Sequence, residues 1–456
     1  MKTKTEEGTV NIRELVLSIL SEVLDNNQYC STVIRNTLNK YQYLEKQERA
    51  FLTRLSTGVI ERQIELDYIV NQFSNVKVKK MKPVIRNILR MGVYQILYME
   101  QVPDSAACNE AVKLAKKKGF HNLSGFVNGV LRNIGRNLDK VSYPDENGDP
   151  VTYLSVTFSI PEWILKNWLK EYNEDVVRCM AEASLADKNT TIRCNLSKVT
   201  LENLKQKLQE QDVVVENGTY LPYALNISGY NYMNRIAAFT EGYFQVQDES
   251  SMLVAQTAGI KKDDYIIDVC AAPGGKSLHA AELLQGSGKV VARDLTDYKV
   301  SLIRENIERL GYTNNIEAEV WDALTLRKED IEKADIVFAD LPCSGLGVIA
   351  KKPDIKYKVT PEQMEELAQL QRNILAVVHQ YVKKDGILMY STCTVNKKEN
   401  LENVRWLEKE YGFKLDSLDP YLPEDLRERS TEEGYLQLIQ GIHETDGFFI
   451  ARLRRV

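Results

Sequence analysis

Apolar residues recur at spacings of three and four from Asn11 to Asn137, through "IRELVLSILSEVL", "CSTVIRNTLNKY", "QERAFLTRLSTGVIERQIELDYIV", "KKMKPVIRNILRMGVYQILYM" and "SGFVNGVLRNIGRN". That period puts an apolar stripe along each helix and predicts an all-helical domain over residues 1–140. Residues 141–160, with Pro144, Gly148 and Pro150, break the period, and a linker is expected over 141–165. "TTIRCNL", "TLENLKQKLQEQ" and "VVVENGTY" then read as strand, helix and strand, with Thr200 as the helix cap and Leu201, Leu204 and Leu208 on one face. They predict a small α/β domain over 166–240, similar to half of a ferredoxin-like or RNA-recognition fold, though without the aromatic stacking motif of the latter. From 241 to 456 the runs "DYIIDVC", "GKVVARD", "NIEAEVWD", "ADIVFAD" and "GILMYST" alternate with helical segments. This texture predicts a parallel sheet covered on both faces, of the Rossmann-like α/β class, with ligands bound beyond the carboxyl ends of its strands.

Composition narrows the classes. A chain of 456 residues, 43% hydrophobic, exceeds one ordinary core. Its longest apolar runs fall far short of the roughly 20 residues of a membrane-spanning helix, and "MKTKTEEGTV" lacks a signal-type apolar core. A cytoplasmic location without membrane contact is expected. Seven cysteines, an odd and scattered set without a C-x-x-C pair, argue for reduced thiols over a disulfide scaffold or zinc ribbon. Four histidines show no metal-like spacing and are expected at packing or surface positions, with no metal implied.

Charge adds a direction. Residues 1–140 hold 22 Lys and Arg against 14 Asp and Glu, a balance of +8 that leaves −13 for the remainder of a chain whose net charge is −5. The basic residues gather at Lys77–Lys82, at Lys113–Asn122 and around Arg132 and Arg136. A phosphate backbone would suit these positions; solvated helix faces are the plain alternative.

The strand ends carry the candidate chemistry. In "DVCAAPGGKS" (Asp268–Ser277), Gly274 and Gly275 clear side chains where strand turns to helix, so that a ligand meets backbone and a helix N-terminus. Asp294, twenty residues beyond Gly274, ends the next strand where a carboxylate accepts from ribose hydroxyls. The loop is not G-x-G-x-x-G, because Cys270, Ala271, Ala272 and Pro273 precede the glycines and Lys276 follows them. S-adenosylmethionine therefore suits it better than a dinucleotide. Asp322, after the third strand, is placed to bound the adenine or to cap the segment that follows. The fourth strand ends in "ADLPCSGLGV" and the fifth in "YSTCTVNKKEN". If those strands are neighbours, roughly 4.8 Å apart, Cys343 and Cys393 face one pocket, as catalytic thiols or as a redox pair.

"DVCAAPGGKS", "ADLPCSGLGV", "YSTCTVNKKEN" and the terminal "DGFFIARL" resemble the RNA cytosine-5 methyltransferases of the Sun/RsmB (NSUN) superfamily, and the helical front domain resembles the NusB RNA-binding module. Together they resemble the bacterial 16S ribosomal RNA enzymes of that family, and the resemblance covers nearly the whole chain. Two departures stand out: Leu341 where the family commonly has alanine, and "IAKKPDIKY" (Ile349–Tyr357) where it often has two arginines. They bear on RNA contacts rather than on the reaction.

The resemblance implies Cys393 as nucleophile toward carbon 6 of cytosine, Cys343 as the residue assisting product release, and Asp340 as the cytosine contact. It implies S-adenosylmethionine held by Cys270–Lys276, Asp294, Asp322 and Asp340. Covalent addition fits the chemistry, since carbon 5 is a poor nucleophile until a thiolate at carbon 6 makes it enamine-like. The implied partner is 16S ribosomal RNA; a self-contained site with flanking RNA domains suits a monomer. A DNA-type enzyme would use Cys343 as nucleophile and carry only that cysteine. A transfer RNA methyltransferase, and an RNA-binding assembly factor with a degenerate enzyme domain, are the other readings; intact cofactor and cysteine motifs weigh against the last.

Overall fold

The computed structural model describes residues 10–186 and 189–456. The stretch Met1–Thr9, on which the expectation about a signal segment largely rests, lies outside the described residues. The chain divides into two compact units, one comprising residues up to Leu185 together with Ile349–Lys358, the other Ala186–Val348 and Val359–Val456.

The first unit is helical. Its front is built from Ile12–Leu20, Cys30–Lys40, Lys46–Glu61, Gln63–Phe73, Pro83–Tyr98, Asp104–Lys117 and Ser124–Arg136. The apolar stripes read from the sequence converge, so that Leu17, Leu20, Leu52, Leu55, Ile69, Ile88, Leu131 and Ile134 form one buried cluster. Helices continue where a linker was expected: Pro150–Phe158 lies within 141–165, and Glu162–Glu171 and Glu174–Ala183 follow. The reason is positional. Pro150 occupies the first turn, where its missing N–H costs nothing, and Asp149 caps the helix by accepting from Thr152 N–H. The proline that reads as a breaker is a helix start.

Ile349–Lys358, the segment with "KKPDIK", packs with these helices. Asp354 Oδ2 accepts from Cys30 N–H at 3.0 Å, at the N-terminus of Cys30–Lys40. Lys356 Nζ donates to the carbonyl of Glu61, the last residue of Lys46–Glu61, at 2.9 Å. A carboxylate at a helix N-terminus and an amine at a helix C-terminus both complement the helix dipole. Tyr357 packs on the helical core and donates from its hydroxyl to Ser159 O at 2.9 Å. Lys356 is 1% exposed, so it is a packing residue and presents nothing to RNA.

In the second unit, Thr190–Cys194 (β1), Val214–Asn217 (β2), Ala224–Ser228 (β3) and Phe244–Val246 (β4) form an antiparallel sheet in the order β2-β3-β1-β4, with Leu201–Gln209 against it. The sequence reading found β1, the helix and β2 of this ferredoxin-like domain. The larger sheet comprises Tyr265–Asp268 (β5), Lys289–Asp294 (β6), Ile316–Val320 (β7), Ala334–Asp340 (β8), Val382–Thr392 (β9), Phe413–Leu415 (β10), Tyr435–Leu438 (β11) and Phe448–Arg455 (β12). Its order is β10-β12-β9-β8-β5-β6-β7, with β11 also on β12.

The expected all-parallel sheet is thus mixed. β5 to β9 pair in parallel, but β12 runs antiparallel to β9 and to β10 and β11. The run "DGFFIARL", buried on both faces, looks the same in either direction, and only the connection decides the sense. Among the described residues, no helix is long and apolar enough to cross a membrane.

Candidate active site

The order of the strands brings the predicted residues to one end of the sheet. β5 lies between β6 and β8, and the order reverses there, which is where such sheets open a crevice. The turn after β5 carries Cys270 to Lys276, with Gly274 at φ 105°, a backbone state that costs glycine little. Helix Gly275–Leu283 follows, its first amides without intrahelical acceptors.

Asp294, 4% exposed at the end of β6, accepts from Ala272 N–H at 3.0 Å and from Lys299 Nζ at 2.8 Å. Trp321 N–H donates to Asp294 O, which sets the turn after β7; Asp322, exposed, accepts from Leu324 N–H in that turn. Asp268, absent from the sequence-based set, is buried at the end of β5. One of its oxygens accepts from Ser277 Oγ at 2.6 Å and the other has no partner. Burial lifts its carboxyl to about 7. Burial also pushes the Cys270 thiol up, and the charges of Asp268, Asp294 and Asp340 add to that shift.

Asp268, Asp294 and Asp340, with Lys299 and Lys276 as counter-charges to the last two, gather acidic groups at this end of the sheet, a setting that suits hydroxyl donors and a cation better than a pyrophosphate. An adenosyl sulfonium meets that requirement.

The two cysteines stand beside this crevice. β8 and β9 are parallel neighbours with Asp340 opposite Ser391, so the turns that follow emerge side by side. Cys343 Sγ and Cys393 Sγ lie 3.3 Å apart. The Cys343 thiol is held well above its ordinary value, by its hydrogen bond to Cys393 first, then by burial, and by the charges of Glu399 and Asp340. Either sulfur can donate in that contact, which ties the two thiols together.

Asp340 is fixed from two sides: Lys276 Nζ donates to one oxygen at 2.7 Å and Ser391 Oγ to the other at 2.8 Å. Lys276 also donates to Ser251 Oγ at 2.9 Å and lies 5.3 Å from the centroid of Phe448 in β12. The terminal motif reaches the cysteines too. Gly347 N–H donates to Cys393 O at 3.0 Å and Gly447 N–H to Gly347 O at 2.8 Å; a Cβ on Gly347 would sit 1.8 Å from Gly447 O.

The structure thus brings together Cys343, Cys393, Asp340 and the Cys270–Lys276 turn, with Asp294 and Asp322 at the ends of the two strands beyond. The sequence reading did not find Ser251, Ser391, Asp268 or Glu399 as members of this site. Ser251 and Ser391 had no signal, being ordinary residues whose partner lies far along the chain.

Family models described as 16S rRNA methyltransferase RsmB/F, NusB family, and RsmF/B-like ferredoxin-like domain match residues 255–454, 10–136 and 160–232. A probable ribosomal RNA small subunit methyltransferase B of Bacillus subtilis is 37% identical, over 98% of this chain and 99% of its own length. A protein of the same description from Synechocystis is 31% identical, over 98% and 100%. The fold is shared with the crystal structure of PH0851 (TM-score 0.81, 24% identity, 98% of this chain and all of that one). It is shared also with NSun6 from Pyrococcus horikoshii (TM-score 0.58, 23% identity, 65% and 98%). The cofactor of the site is S-adenosylmethionine. Matched along its whole length and in all three domains, the chain belongs to the ribosomal RNA small subunit methyltransferase B family.

Proposed function

We propose that this protein methylates carbon 5 of a cytosine in 16S ribosomal RNA through a covalent cysteine adduct. The observation that carries the proposal is the pair of thiols 3.3 Å apart beside a lysine-held aspartate, at the ends of two adjacent parallel strands. S-adenosylmethionine, held by the Cys270–Lys276 turn, Asp294 and Asp322, supplies an electrophilic methyl group.

Cys393 Sγ attacks carbon 6 of the cytosine, forming an S–C bond, and the electron pair of the 5,6 double bond moves to carbon 5. Asp340 hydrogen-bonds to the amino group or to the protonated ring nitrogen, which stabilises the charge that develops there. Lys276 and Ser391 hold that carboxylate in place. Once carbon 5 bears the methyl group, its proton leaves, the S–C6 bond breaks and the electron pair returns to Cys393. Cys343 assists this release, directly or through a water.

The target base must be unpaired or swung out, at a few kcal/mol, so a loop cytosine is the economical substrate. In this reading the helical front domain supplies the RNA contacts, which supports ribosomal RNA over transfer RNA as substrate, with the protein in the cytoplasm. The test is transfer of labelled methyl from S-adenosylmethionine to unmodified 16S ribosomal RNA and to transfer RNA. The expected result is label at a single ribosomal cytosine. Label on transfer RNA alone, or on no RNA, overturns the proposal.

A further inference from the structure

We infer that Glu399 is a positioning residue that sets the separation of the two catalytic thiols. The inference rests on the two-cysteine reading above and goes beyond it. Glu399 is fully buried, and its carboxylate gathers four donors. Ser344 N–H (2.8 Å) and Asn396 Nδ2 (2.9 Å) point at different oxygens, with Ser344 Oγ (2.6 Å) and Gln371 Nε2 (3.1 Å) completing the set. Gln371 Nε2 also donates to Pro342 O at 2.9 Å, and Ser344 Oγ lies 2.8 Å from Thr394 Oγ1.

Pro342 and Ser344 flank Cys343, while Thr394 and Asn396 follow Cys393. Ser344 after one cysteine and Asn396 after the other therefore meet on a single carboxylate, with Pro342 joined to it through Gln371 and Thr394 through Ser344 Oγ. A buried carboxylate with four donors is strongly directional, because each donor left unpaired would carry its full desolvation cost. An amide in its place cannot serve the same set: its NH₂ would face either Ser344 N–H or the Asn396 amide, donor against donor. The charge matters as well, since Glu399 is among the groups that keep Cys343 protonated.

The geometry can be read without RNA. Phenylarsine oxide bridges two close thiols, forming two As–S bonds as its oxygen leaves with both thiol protons as water. Wild-type protein is expected to bind one equivalent in a manner abolished by Cys343→Ser or Cys393→Ser. Glu399→Gln is expected to weaken that capture at least ten-fold. It is also expected to lower kcat about 10²-fold, the cost of misplacing reacting groups by about 1 Å, with KM for RNA and cofactor within about two-fold of wild type. Glu399→Asp, which keeps the charge, is expected to recover part of both.

Capture and kcat at wild-type values in a folded Glu399→Gln protein overturn the inference. If that variant does not fold, Ser344→Ala and Asn396→Ala carry the test, each removing one donor; wild-type capture in both, with unchanged melting temperatures, overturns it equally. A wild-type protein that captures the arsenical but methylates no RNA would sink the proposed reaction and leave this geometry standing.

Discussion

At the scale of single residues, the site is organised by carboxylates that are held rather than free. Asp340 has one oxygen on Lys276 and the other on Ser391, which aims it before any base arrives. Asp340→Asn keeps the shape and removes the charge. It should lower kcat by about 10²-fold or more, in the range of a lost proton-handling or charge-stabilising group, while leaving the melting temperature within a few degrees. Steady-state kinetics with a thermal melt checks this. Much of this layer was legible in the sequence, because Cys343, Cys393, Asp294 and the glycine turn follow strands whose apolar runs are short and well bounded. Glu399 was not read as part of the site, although it stands within the quoted "YSTCTVNKKEN". Nothing in one sequence says that a glutamate six residues past a cysteine is buried under another cysteine's turn.

At the scale of elements, direction and capping decided where the sequence reading failed. Pro150 reads as a breaker by composition and is a helix start by position, since its Asp149 cap lies just ahead of it. β12 has the apolar character of its parallel neighbours yet runs against them, because sequence period reports burial and not strand sense. The departure at Ile349–Tyr357 bears on RNA contacts in the sequence, and in the fold Asp354 and Lys356 of that segment bond to helix ends in the first unit. Burial pulls the Lys356 amine from 10.5 down to about 7, with Glu61 opposing and Arg62 adding to the shift. The unfolded chain then binds one more proton than the folded one between those values. This contribution to stability accordingly rises with pH from about 7 toward 10.5, and below 7 the folded state bears the full cost of burying the ammonium. Lys356→Met should remove that dependence. Melting curves from pH 6 to 9 should show the wild type gaining stability relative to the variant as pH rises; parallel curves would refute it.

At the scale of the whole molecule, charge is divided with function. Residues 1–140 carry +8 and the remainder −13. The basic clusters are not equivalent. Lys117 and Lys118 are paired with Glu14 and Lys113 with Glu110, whereas Lys79, Lys80 and Lys82 have no ion pair among the described residues. Replacing those three by alanine should raise KM for RNA several-fold with kcat unchanged. It should also reduce the slope of log affinity against log salt by about 2 to 3, at roughly 0.7–0.9 for each phosphate no longer neutralised. Filter binding across a salt series reads both affinity and slope.

The central claim is that Cys393 bonds to the base and Cys343 lets it go. It is tested most directly by incubating wild-type, Cys393→Ala and Cys343→Ala proteins with S-adenosylmethionine and unmodified 16S ribosomal RNA, and resolving the products on denaturing gels. The account predicts methylated RNA without lasting adduct for the wild type, neither methylation nor adduct for Cys393→Ala, and an accumulated protein–RNA adduct for Cys343→Ala. An adduct that forms without Cys393, or that requires Cys343, would contradict it.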